Sequence, residues 1–560
     1  MVYQKFKFFT CCVWLLTTAL SAQPTIGVRL NTDKAQPGYT FFSPFSGTRA
    51  YLIDNCGRLV NRWDRGTRPG LAAYFLENGL VFRTYKPAPA GPFTSASNAG
   101  GIELVDWDNN TVWHYELNTP TQISHHDATY LPNGHVLLLT WELVYTDELV
   151  AMGRNPSQIA PEGFMWSERI VELEPIGADQ ANLVWEWRIR DHYIQDFEPA
   201  KANYGIVSEH PELFDINLPE LNSSNSNSSR DWNHFNAIDY NPALDQILIS
   251  VRNSDEIWIL DHSTTTAEAA THSGGLYGKG GDILYRWGNA AAYGRGLESD
   301  QKLFGQHGAQ WIREGLPDAG KIILFNNGNG RPGTDYSTGE VLTPPMDPNG
   351  GYILPANAPF GPEQPDWIYG NLPGETFYSA FLSNAQRLPN GNTLLNAGSI
   401  GTLLEVDSLR EIVWHYAIPL NGDFALTQGQ SASNNSTFRA YRYPPDYPGF
   451  TGKDLTPGPV IEVGGNPLPC ELPVGVLPDK IDVREIQLQY QFERRQIALR
   501  NPRGQLLHLA IFTSTGQLVF FEKTACTECA YSAQGWRSGV YFVRLVSEAG
   551  LIQTEKIVVP

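Results

Sequence analysis

The sequence predicts an all-β protein, a six-bladed β-propeller followed by a small C-terminal β-sandwich. Two observations carry this prediction. A short hairpin that ends in tryptophan recurs along the chain, and a second hairpin with tight-turn residues alternates with it. Two antiparallel hairpins make one four-stranded sheet, and about six such sheets, roughly 40–70 residues apart, are typical of a propeller. An array of β-sandwiches would explain the strands but not the recurring tryptophan.

The first hairpin consists of an apolar strand, a turn and a second strand that ends in tryptophan, as in YLIDNCGRLVNRW and LLEVDSLREIVWHY. The second hairpin recurs as YFLENGLVFRT, YLPNGHVLLLT and RLPNGNTLLNA, where Asn-Gly pairs favour tight turns between antiparallel strands. Together the two hairpins predict the four strands of each blade. The tryptophans of the first hairpin are Trp63, Trp113, Trp185, Trp287 and Trp414, with a weaker sixth copy at Trp367.

The composition is that of a globular protein with many turns. Of 560 residues, 42% are hydrophobic and 18% charged, and the chain contains 52 glycines and 39 prolines. The formal net charge of −19 repels a phosphate backbone, so nucleic acid is not expected as a partner. An anionic substrate would need a local cationic site, because the field of the whole protein does not attract it.

The N-terminus predicts a signal peptide over residues 1–22. Lys5 and Lys7 precede an apolar run from Phe8 to Leu20, and the small residues Ser21 and Ala22 offer a cleavage point. The run is too short to indicate a membrane span. The mature protein is therefore expected to be exported.

Four cysteines remain after removal of the signal peptide: Cys56, Cys470, Cys526 and Cys529. Export permits disulfides, and four cysteines allow three pairings. The CxxC spacing of Cys526 and Cys529 could instead indicate redox or zinc chemistry, although no second pair of ligands lies near it in the sequence.

The rest of the chain divides into three predicted parts. The propeller occupies residues 23–455, a linker rich in proline and glycine occupies 456–475, and the short strands of the β-sandwich occupy 476–560. The segments RNPRGQ, FTSTGQLV and WRSGVYFVRLVSEAGLIQTEKIVVP resemble the C-terminal sorting domain of the type IX secretion system over Gln496 to Pro560. This resemblance implies a Gram-negative cell, the type IX machinery as a partner, and a secreted or cell-surface location.

Candidate functional residues emerge when the second hairpins are aligned on their turns. HDATYLPNG, HFNAIDYNPALDQ, HGAQWIREGLPDAG and SNAQRLPNG share one register, which places His126, His234 and His307 at the same position of three blades. Ser383 and Leu71 hold this position in two others. Equivalent positions of propeller blades lie on one ring about the axis, so the three histidines are expected to converge. Any one of them could instead simply cap a strand.

Arg252 is expected on the strand that returns from the His234 hairpin, in ILISVRNSDEIW. An arginine in an apolar strand is costly unless it is paired or faces a polar cavity. The alternative is a surface pair with Asp255 or Glu256. Asn236 lies two residues after His234 and on the same face if the segment is extended.

These residue types allow two kinds of chemistry. Three histidines could bind a metal, but they lack HxH or HxxxH spacing and each comes from a different blade. They could also bind and transfer an anion, because an arginine fork suits sulfate or phosphate oxygens and a neutral imidazole can become a covalent carrier. No metal is assigned to them.

The segments DWNHFNAIDYN…ISVRNSDEIW, FGQHGAQWI…ILFNNG and HHDATYLPNG resemble the aryl-sulfate sulfotransferases, a family of exported propellers, and the resemblance covers roughly Gly38 to Tyr443. It implies transfer of a sulfuryl group from an aryl sulfate to a phenol by a ping-pong mechanism, with neither a nucleotide sulfate donor nor a cofactor. GGLYGKGG agrees with this, because it lacks the spacing of a phosphate-binding loop.

The resemblance also implies roles for single residues. His307 would be the transiently sulfated nucleophile, and Asn236 would line the substrate site. His126, His234 and Arg252 would hold the sulfuryl oxygens. His125 precedes His126 and would face the opposite way in an extended strand, so it ranks below its neighbour.

Two other functions remain open at this point. A quinone-dependent dehydrogenase propeller would need a calcium site, for which the sequence offers no motif. A non-catalytic secreted propeller that binds a ligand would keep the fold without the reaction. The natural donor and acceptor, the balance between hydrolysis and transfer, and the oligomeric state do not follow from the sequence.

Overall fold

A computed structural model describes residues 24–219, 230–348, 350–370, 377–466, 468, 470, 487–491, 494–501, 507–513, 518–547 and 552–559. The predicted signal peptide lies outside these ranges. The described chain is all-β, with two short α-helices, α1 (Thr146–Ala151) and α2 (Thr266–Ala269). Within it no helix is both long enough and apolar enough to cross a membrane.

The first half of the chain supplies the strands of three antiparallel sheets, except for one strand of the first sheet, which comes from the second half. Its N-terminal strand belongs to a sheet that the second half forms. Its strands are β1 (Gly27–Asn31), β2 (Tyr39–Pro44), β3 (Arg49–Asp54), β4 (Leu59–Asp64), β5 (Pro69–Phe75), β6 (Val81–Tyr85), β7 (Gly101–Val105), β8 (Thr111–Glu116), β9 (Gln122–Tyr130), β10 (Val136–Tyr145), β11 (Phe164–Ile176) and β12 (Gln180–Arg188). A short parallel pair, β13 (Tyr193–Ile194) and β14 (Phe214–Asp215), follows outside these sheets.

The second half adds three further sheets. Its strands are β15 (Phe235–Asn241), β16 (Gln246–Val251), β17 (Glu256–Asp261), β18 (Tyr285–Trp287), β19 (His307–Trp311), β20 (Ile322–Asn326), β21 (Thr338–Leu342), β22 (Trp367–Tyr369), β23 (Asn384–Arg387), β24 (Thr393–Ala397), β25 (Thr402–Val406), β26 (Ile412–Ala417), β27 (Leu420–Asn421), β28 (Phe424–Ala425) and β29 (Thr437–Tyr443). Short 3-10 helices lie at Pro156–Gln158, Ile189–His192, Val207–Glu209, Ala290–Tyr293, Glu298–Asp300, Gly398–Ile400 and Pro448–Phe450.

The six sheets have the strand orders β29-β2-β3-β4, β5-β6-β7-β8, β9-β10-β11-β12, β15-β16-β17-β18, β19-β20-β21-β22 and β23-β24-β25-β26-β1. The first sheet therefore takes one strand from the C-terminal end of this region and three from the N-terminal end. The strands β5, β9, β15, β19, β23 and β29 each contact the next, and β29 contacts β5. These six inner strands form a closed ring.

Apolar side chains pack between successive sheets and not in one central core. Phe82 and Val136 belong to a cluster between the second and third sheets, and Ile170 and Trp258 to one between the third and fourth. Trp414 packs with residues of β2 and β3 between the last sheet and the first. Six such layers hold the ring together, and its axis remains available for polar groups.

Five of the six recurring tryptophans link a sheet to the next one. Their indole Nε1–H donates to the following sheet: Trp63 to the carbonyl of Asp106, Trp113 to that of Gln180, Trp287 to that of Pro362 and Trp414 to that of Asn55, at 2.8–2.9 Å, and Trp185 to Thr264 Oγ1 at 3.2 Å. The last of the carbonyl contacts crosses from the sixth sheet to the first. The sixth copy, Trp367, lies in β22 as the sequence predicts.

The segment predicted as a linker packs on the sheets. The Leu59 amide donates to the Pro459 carbonyl at 2.9 Å, and the Gly458 amide donates to the Leu59 carbonyl at 2.7 Å. Asn466 Nδ2 donates to the carbonyl of Val28 at 3.1 Å. The predicted domain boundary at 455 stays a prediction, but these contacts favour keeping the segment after it with the sheets.

Disulfides pair Cys56 with Cys470 and Cys526 with Cys529. The first has an S–S distance of 2.10 Å and joins the turn after β3 to the far end of the packed segment. Of the three pairings that the sequence leaves open, the structure has the one in which the CxxC cysteines bond to each other.

Beyond residue 486 the described residues form two antiparallel sheets, β30-β31-β34 and β33-β32-β35-β36. Their strands are β30 (Gln487–Gln491), β31 (Gln496–Arg500), β32 (Leu507–Thr513), β33 (Leu518–Thr524), β34 (Glu528–Ser532), β35 (Gly539–Ser547) and β36 (Ile552–Val559). Ile497 and Leu499 of one sheet share a buried cluster with Leu509 and Val543 of the other.

Candidate active site

Backbone irregularities mark one level of the inner strands. Leu71, His126, His234, Gly308 and Ser383 have φ angles of 122°, 46°, 56°, 65° and 91°. A left-handed conformation costs a residue with a side chain about 1–2 kcal/mol. The strand register shifts at the same level in β5, β9, β15 and β19. Bulges of this kind re-aim side chains next to functional sites.

The three predicted histidines lie at this level. His126 is in β9, His234 directly precedes β15, and His307 begins β19. The ring centroids of His126 and His234 are 4.4 Å apart, and Phe438 of β29 lies 6.2 Å from His126 and 6.5 Å from His307. The structure therefore brings the three histidines together from separate sheets.

Burial and neighbouring positive charge disfavour protonation of two of these rings. The pKa of His307 lies well below its ordinary value of 6.5, because the ring is buried and because Arg252 and Arg439 repel a proton. Burial likewise lowers the pKa of His126, and the neighbouring histidines add to this effect. Both rings are neutral near pH 7.

His307 has its two ring nitrogens in different environments. Nδ1 lies 2.7 Å from Asn327 Oδ1 and 3.0 Å from the Gly305 carbonyl, so both partners are acceptors. Asn327 Nδ2 donates to the carbonyls of Ser379 and Leu382, which fixes Oδ1 toward the histidine. The proton of neutral His307 therefore sits on Nδ1, and Nε2 carries a lone pair.

His234 and His126 are backed by carboxylates. His234 Nδ1 lies 2.5 Å from Asp231 Oδ2. His126 Nδ1 lies 2.9 Å from His125 Nδ1, and His125 Nε2 lies 2.9 Å from Glu168 Oε2. The second arrangement is a hydrogen-bonded chain from Glu168 through His125 to His126.

The expectation that His125 faces away from His126 is wrong. It assumed an extended strand, but the positive φ of His126 and the bulge in β9 break the alternation of side chains. The two rings contact each other, and His125 stacks on Trp141 with centroids 4.0 Å apart. His125 belongs to the site as the link to Glu168.

Arg252 is buried, with 6% of its surface exposed, and directly follows β16. Burial lowers its pKa, and the charges of Asp255 and Asp231 oppose this shift. A surface pair with Glu256 is excluded, because Glu256 is buried and binds Arg286 through both carboxylate oxygens. The Arg252 amide donates to the His234 carbonyl at 3.2 Å, so its backbone lies at the level of the histidines, and its charge contributes to the lowered pKa of His307.

Asn236 is buried and holds the neighbouring inner strand. Its Nδ2 donates to the carbonyl of Gln306 at 2.7 Å, directly before His307. Its Oδ1 is buried and has no hydrogen-bond partner among the described residues. Asn236 Nδ2 therefore binds the backbone, and Oδ1 is the atom that can accept a hydrogen bond from another group.

Arg439 is a site residue that the sequence analysis missed. It lies in β29, and its guanidinium donates to the carbonyls of Ser383 and Asn236 and to Asp127 Oδ2 at 2.8, 3.0 and 3.3 Å. Burial opposes its charge, but Asp127 prevails and raises the pKa of Arg439. The reasoning applied to Arg252, an arginine within an apolar strand, would have found it in TFRAYRY.

A central cavity of about 460 Å³ lies beside this cluster. Asp127 and Arg439 border it, together with Tyr74, Gln310 and Tyr441, whereas the three histidines do not line it. The Asp127–Arg439 pair therefore stands between the cavity and the histidines.

Metal-binding geometry occurs elsewhere. Among the described residues, three or more potential ligand atoms come within 4.8 Å of one another only at His192, His272 and Asp282. The central histidines do not form such a group.

Comparison with known proteins gives weak structural and clear family relationships. No curated protein matches the chain. Similar solved structures include a protein of unknown function from Bacteroides caccae (10% identity, 68% of this chain and 93% of the other, TM-score 0.35) and virginiamycin B lyase from Staphylococcus aureus (10%, 70% and 87%, TM-score 0.29). The Dos1 propeller is a third (10%, 74% and 90%, TM-score 0.27). Scores this low carry no argument.

The profile of the family described as Arylsulfotransferase (ASST) matches residues 106–439. The match includes the five predicted site residues, His126, His234, Asn236, Arg252 and His307, and two that the sequence analysis missed, Glu168 and Arg439. Because it covers more than half of the 560 residues, the chain belongs to the arylsulfotransferase family.

Proposed function

We propose that this protein is an aryl-sulfate sulfotransferase that moves a sulfuryl group from an aryl sulfate to a phenolic acceptor through a sulfated His307, without a nucleotide donor. The observation that carries the proposal is the state of His307. Its Nδ1 proton is held by two oxygens, burial keeps the ring neutral, and Nε2 has a free lone pair beside buried arginines. A neutral imidazole of this kind is a competent nucleophile.

The six sheets act in this proposal as the blades of a β-propeller. The closed ring of inner strands, the six apolar layers and the tryptophan contacts from each sheet to the next support this arrangement. The histidines and arginines then lie near the axis, where several blades can each contribute one side chain to a small anion.

In the first half-reaction, the lone pair of His307 Nε2 forms a bond to sulfur as the bond between sulfur and the aryl oxygen breaks. The developing positive charge of the ring is stabilised through Nδ1–H by Asn327 and Gly305. Arg252 and His234 donate to the sulfuryl oxygens, where preorganised donors lower the barrier. The leaving phenolate takes a proton from His126 Nε2, His126 Nδ1 takes one from His125 Nδ1, and Glu168 returns one to His125 Nε2.

In the second half-reaction, the oxygen of the acceptor phenol attacks sulfur, the N–S bond breaks, and Nε2 regains its lone pair. His126 takes the acceptor's proton back. The chain from His126 through His125 to Glu168 supports this role, because a proton received at Nε2 can be matched by release from Nδ1 toward Glu168. His126, with its lowered pKa, then need not remain charged.

The same proposal extends to location. The predicted signal peptide, the C-terminal sandwich and the resemblance of residues 496–560 to a type IX sorting domain support export to the cell surface or beyond by that machinery. Two C-terminal sheets with a shared buried cluster agree with a sandwich. Loss of secretion, but not of activity, on removal of residues 476–560 tests this assignment in the native host.

Intact mass spectrometry tests the chemistry. Exposure of the protein to an aryl sulfate without acceptor should add the mass of one sulfuryl group on the FGQHGAQ peptide, and phenol should remove it. H307A is expected to show neither adduct nor transfer. Double-reciprocal plots should be parallel. Transfer with intersecting plots and no adduct would mean direct transfer, and absence of any reaction would leave a ligand-binding propeller.

A further inference from the structure

We propose a zinc site between the third and fourth sheets, formed by His192, His272 and Asp282. It is independent of the proposed reaction. His192 ends the 3-10 helix that follows β12, whereas His272 and Asp282 lie between β17 and β18. His192 Nδ1 and His272 Nδ1 lie 2.7 and 2.8 Å from the same atom, Asp282 Oδ1.

The environment of His192 points to a cation. Its Nε2 lies 2.8 Å from the carbonyl of Ala269, which can only accept, so Nε2 carries the proton. In the neutral ring Nδ1 is then a lone pair that faces a carboxylate oxygen, a second lone pair. A cation must lie between them, either a proton shared by the ring and the carboxylate or a metal ion.

The surroundings match those of histidines that bind metals. Such histidines usually donate their other N–H to a carbonyl or carboxylate, as His192 does. Trp187 stacks on His192 at an interplanar angle of 4° and donates from Nε1 to the Gly281 carbonyl, which fixes both walls of the site. A Cβ at Gly281 would lie 2.6 Å from His192 Nε2, so glycine permits this approach.

The ligand set favours zinc. Two imidazoles and one carboxylate suit Zn²⁺ better than Mg²⁺ or Ca²⁺, which prefer oxygen ligands. Ligands of a tetrahedral zinc ion at about 2.0–2.2 Å lie about 3.3 Å apart, so each nitrogen needs to move about half an ångström from Asp282 Oδ1. His192 and Asp282 are buried, but the His272 side chain is 61% exposed, so water can supply the fourth ligand.

Bound zinc would fasten two neighbouring sheets. The segment that carries His272 and Asp282 already contacts β12, where the Glu186 amide donates to Thr266 Oγ1 and Trp185 donates to Thr264 Oγ1. A metal ion would add a second link between the same two elements, from His192 after β12 to His272 and Asp282. We therefore expect a stabilising site and no direct role in sulfuryl transfer.

Zinc binding to the full-length protein tests this inference. After chelator treatment, the protein should take up one equivalent of Zn²⁺ from ZnCl₂, measured by competition with a chromophoric chelator, and its melting temperature should rise. H272A should lower the affinity more than about 100-fold, beyond the loss expected for an outer partner. The matched control is H210A, because His210 is also exposed and contacts a carboxylate, Glu212. It should bind zinc normally.

Two further variants secure the interpretation. H307A should retain the zinc, which separates this site from the central histidines. D282N removes the shared ligand and should lose the zinc as H272A does. Equal zinc uptake by wild type and H272A would overturn the proposal, as would the absence of uptake. The three residues would then be a hydrogen-bonded cluster that holds no metal.

Discussion

At the residue scale, the histidines of the candidate active site differ in the group that contacts their Nδ1 atom. His307 is backed by the amide of Asn327, whereas His234 is backed by the carboxylate of Asp231. The Asn327 amide fixes the tautomer of His307, and its small upward effect on the pKa is outweighed by burial and by Arg252. A carboxylate in its place would favour the charged ring more strongly, because it carries a full negative charge. An uncharged ring is what the proposed role of His307 as nucleophile requires.

Replacing Asn327 by aspartate tests this distinction. The pKa of His307 is lowered by burial and by Arg252, so transfer should fall only as pH drops well below 6.5. In N327D the new carboxylate favours the protonated ring and raises this pKa, so the acid limb of the pH–rate profile should move to higher pH. N390D adds the same charge at an exposed turn and should leave the limb in place. An unchanged limb in N327D would remove His307 protonation as its cause.

Glu168→Gln tests the chain behind His126. Glutamine cannot store a proton, so leaving groups that need protonation should lose about a hundredfold in rate or more, the contribution of one positioned acid–base group. Sulfates of acidic phenols should be affected much less. Glu172→Gln is the control, because Glu172 lies on the same strand and contacts His135 and His262. Equal losses for all leaving groups would indicate only structural damage.

The sequence predicts the site residues that share a register, and these are the ones the structure brings together. His126, His234 and His307 could be found because one position recurs in successive hairpins. Glu168 could not, because it lies in the middle of β11 and reaches the site through His125 and through the Phe235 amide that follows His234. The bulge that turns His125 toward His126 leaves no sequence signal such as glycine.

At the element scale, the segment predicted as a linker (456–475) packs on the sheets, so a catalytic fragment must include it. Glycine and proline predict a linker, and they do prevent regular strands there. The composition does not reveal that backbone groups of Gly458 and Pro459 pair with Leu59 at the sheet edge. An edge strand with unpaired groups accepts any segment that can reach it.

The Cys56–Cys470 disulfide should stabilise this arrangement. C56S and C470S are each expected to lower the free energy of unfolding by about 2–5 kcal/mol, the usual cost of losing a native disulfide. Denaturant unfolding, followed with and without reductant, measures this. The double variant C526S/C529S should not change the unfolding of the catalytic region. A protein ending at 475 should behave as the full chain does, whereas one ending at 459 should resemble C470S.

At the scale of the whole molecule, the tryptophans that predict the fold also explain its cohesion. Recurrence in sequence indicates repeated sheets, but the contacts of five indoles with the next sheet are visible only in three dimensions. The same holds for β29, which follows the last repeat in the sequence and pairs with β2 of the first sheet. The number of repeats in the sequence predicts the number of sheets. The pairing of β29 with β2 determines how the two ends of the ring are joined.

Trp414→Phe tests the contact at the joint between the last and first sheets. Phenylalanine keeps a ring near Arg442 but leaves the buried Asn55 carbonyl without its donor, at a cost of about 1–3 kcal/mol. Trp63→Phe removes the equivalent contact to Asp106 between the first two sheets. Both should lower the free energy of unfolding by similar amounts. No loss in either would show that the indole contacts do not couple the sheets.

Arg439 lies on the strand that joins the two ends of the catalytic region. A chain that is still incomplete, or one cut before residue 437, would carry His307, the proposed nucleophile, but not this cation or the strand that holds it. The proposed reaction would therefore require β29 to be in place. The strand that closes the ring would also supply part of the candidate active site, so an incomplete chain would not react.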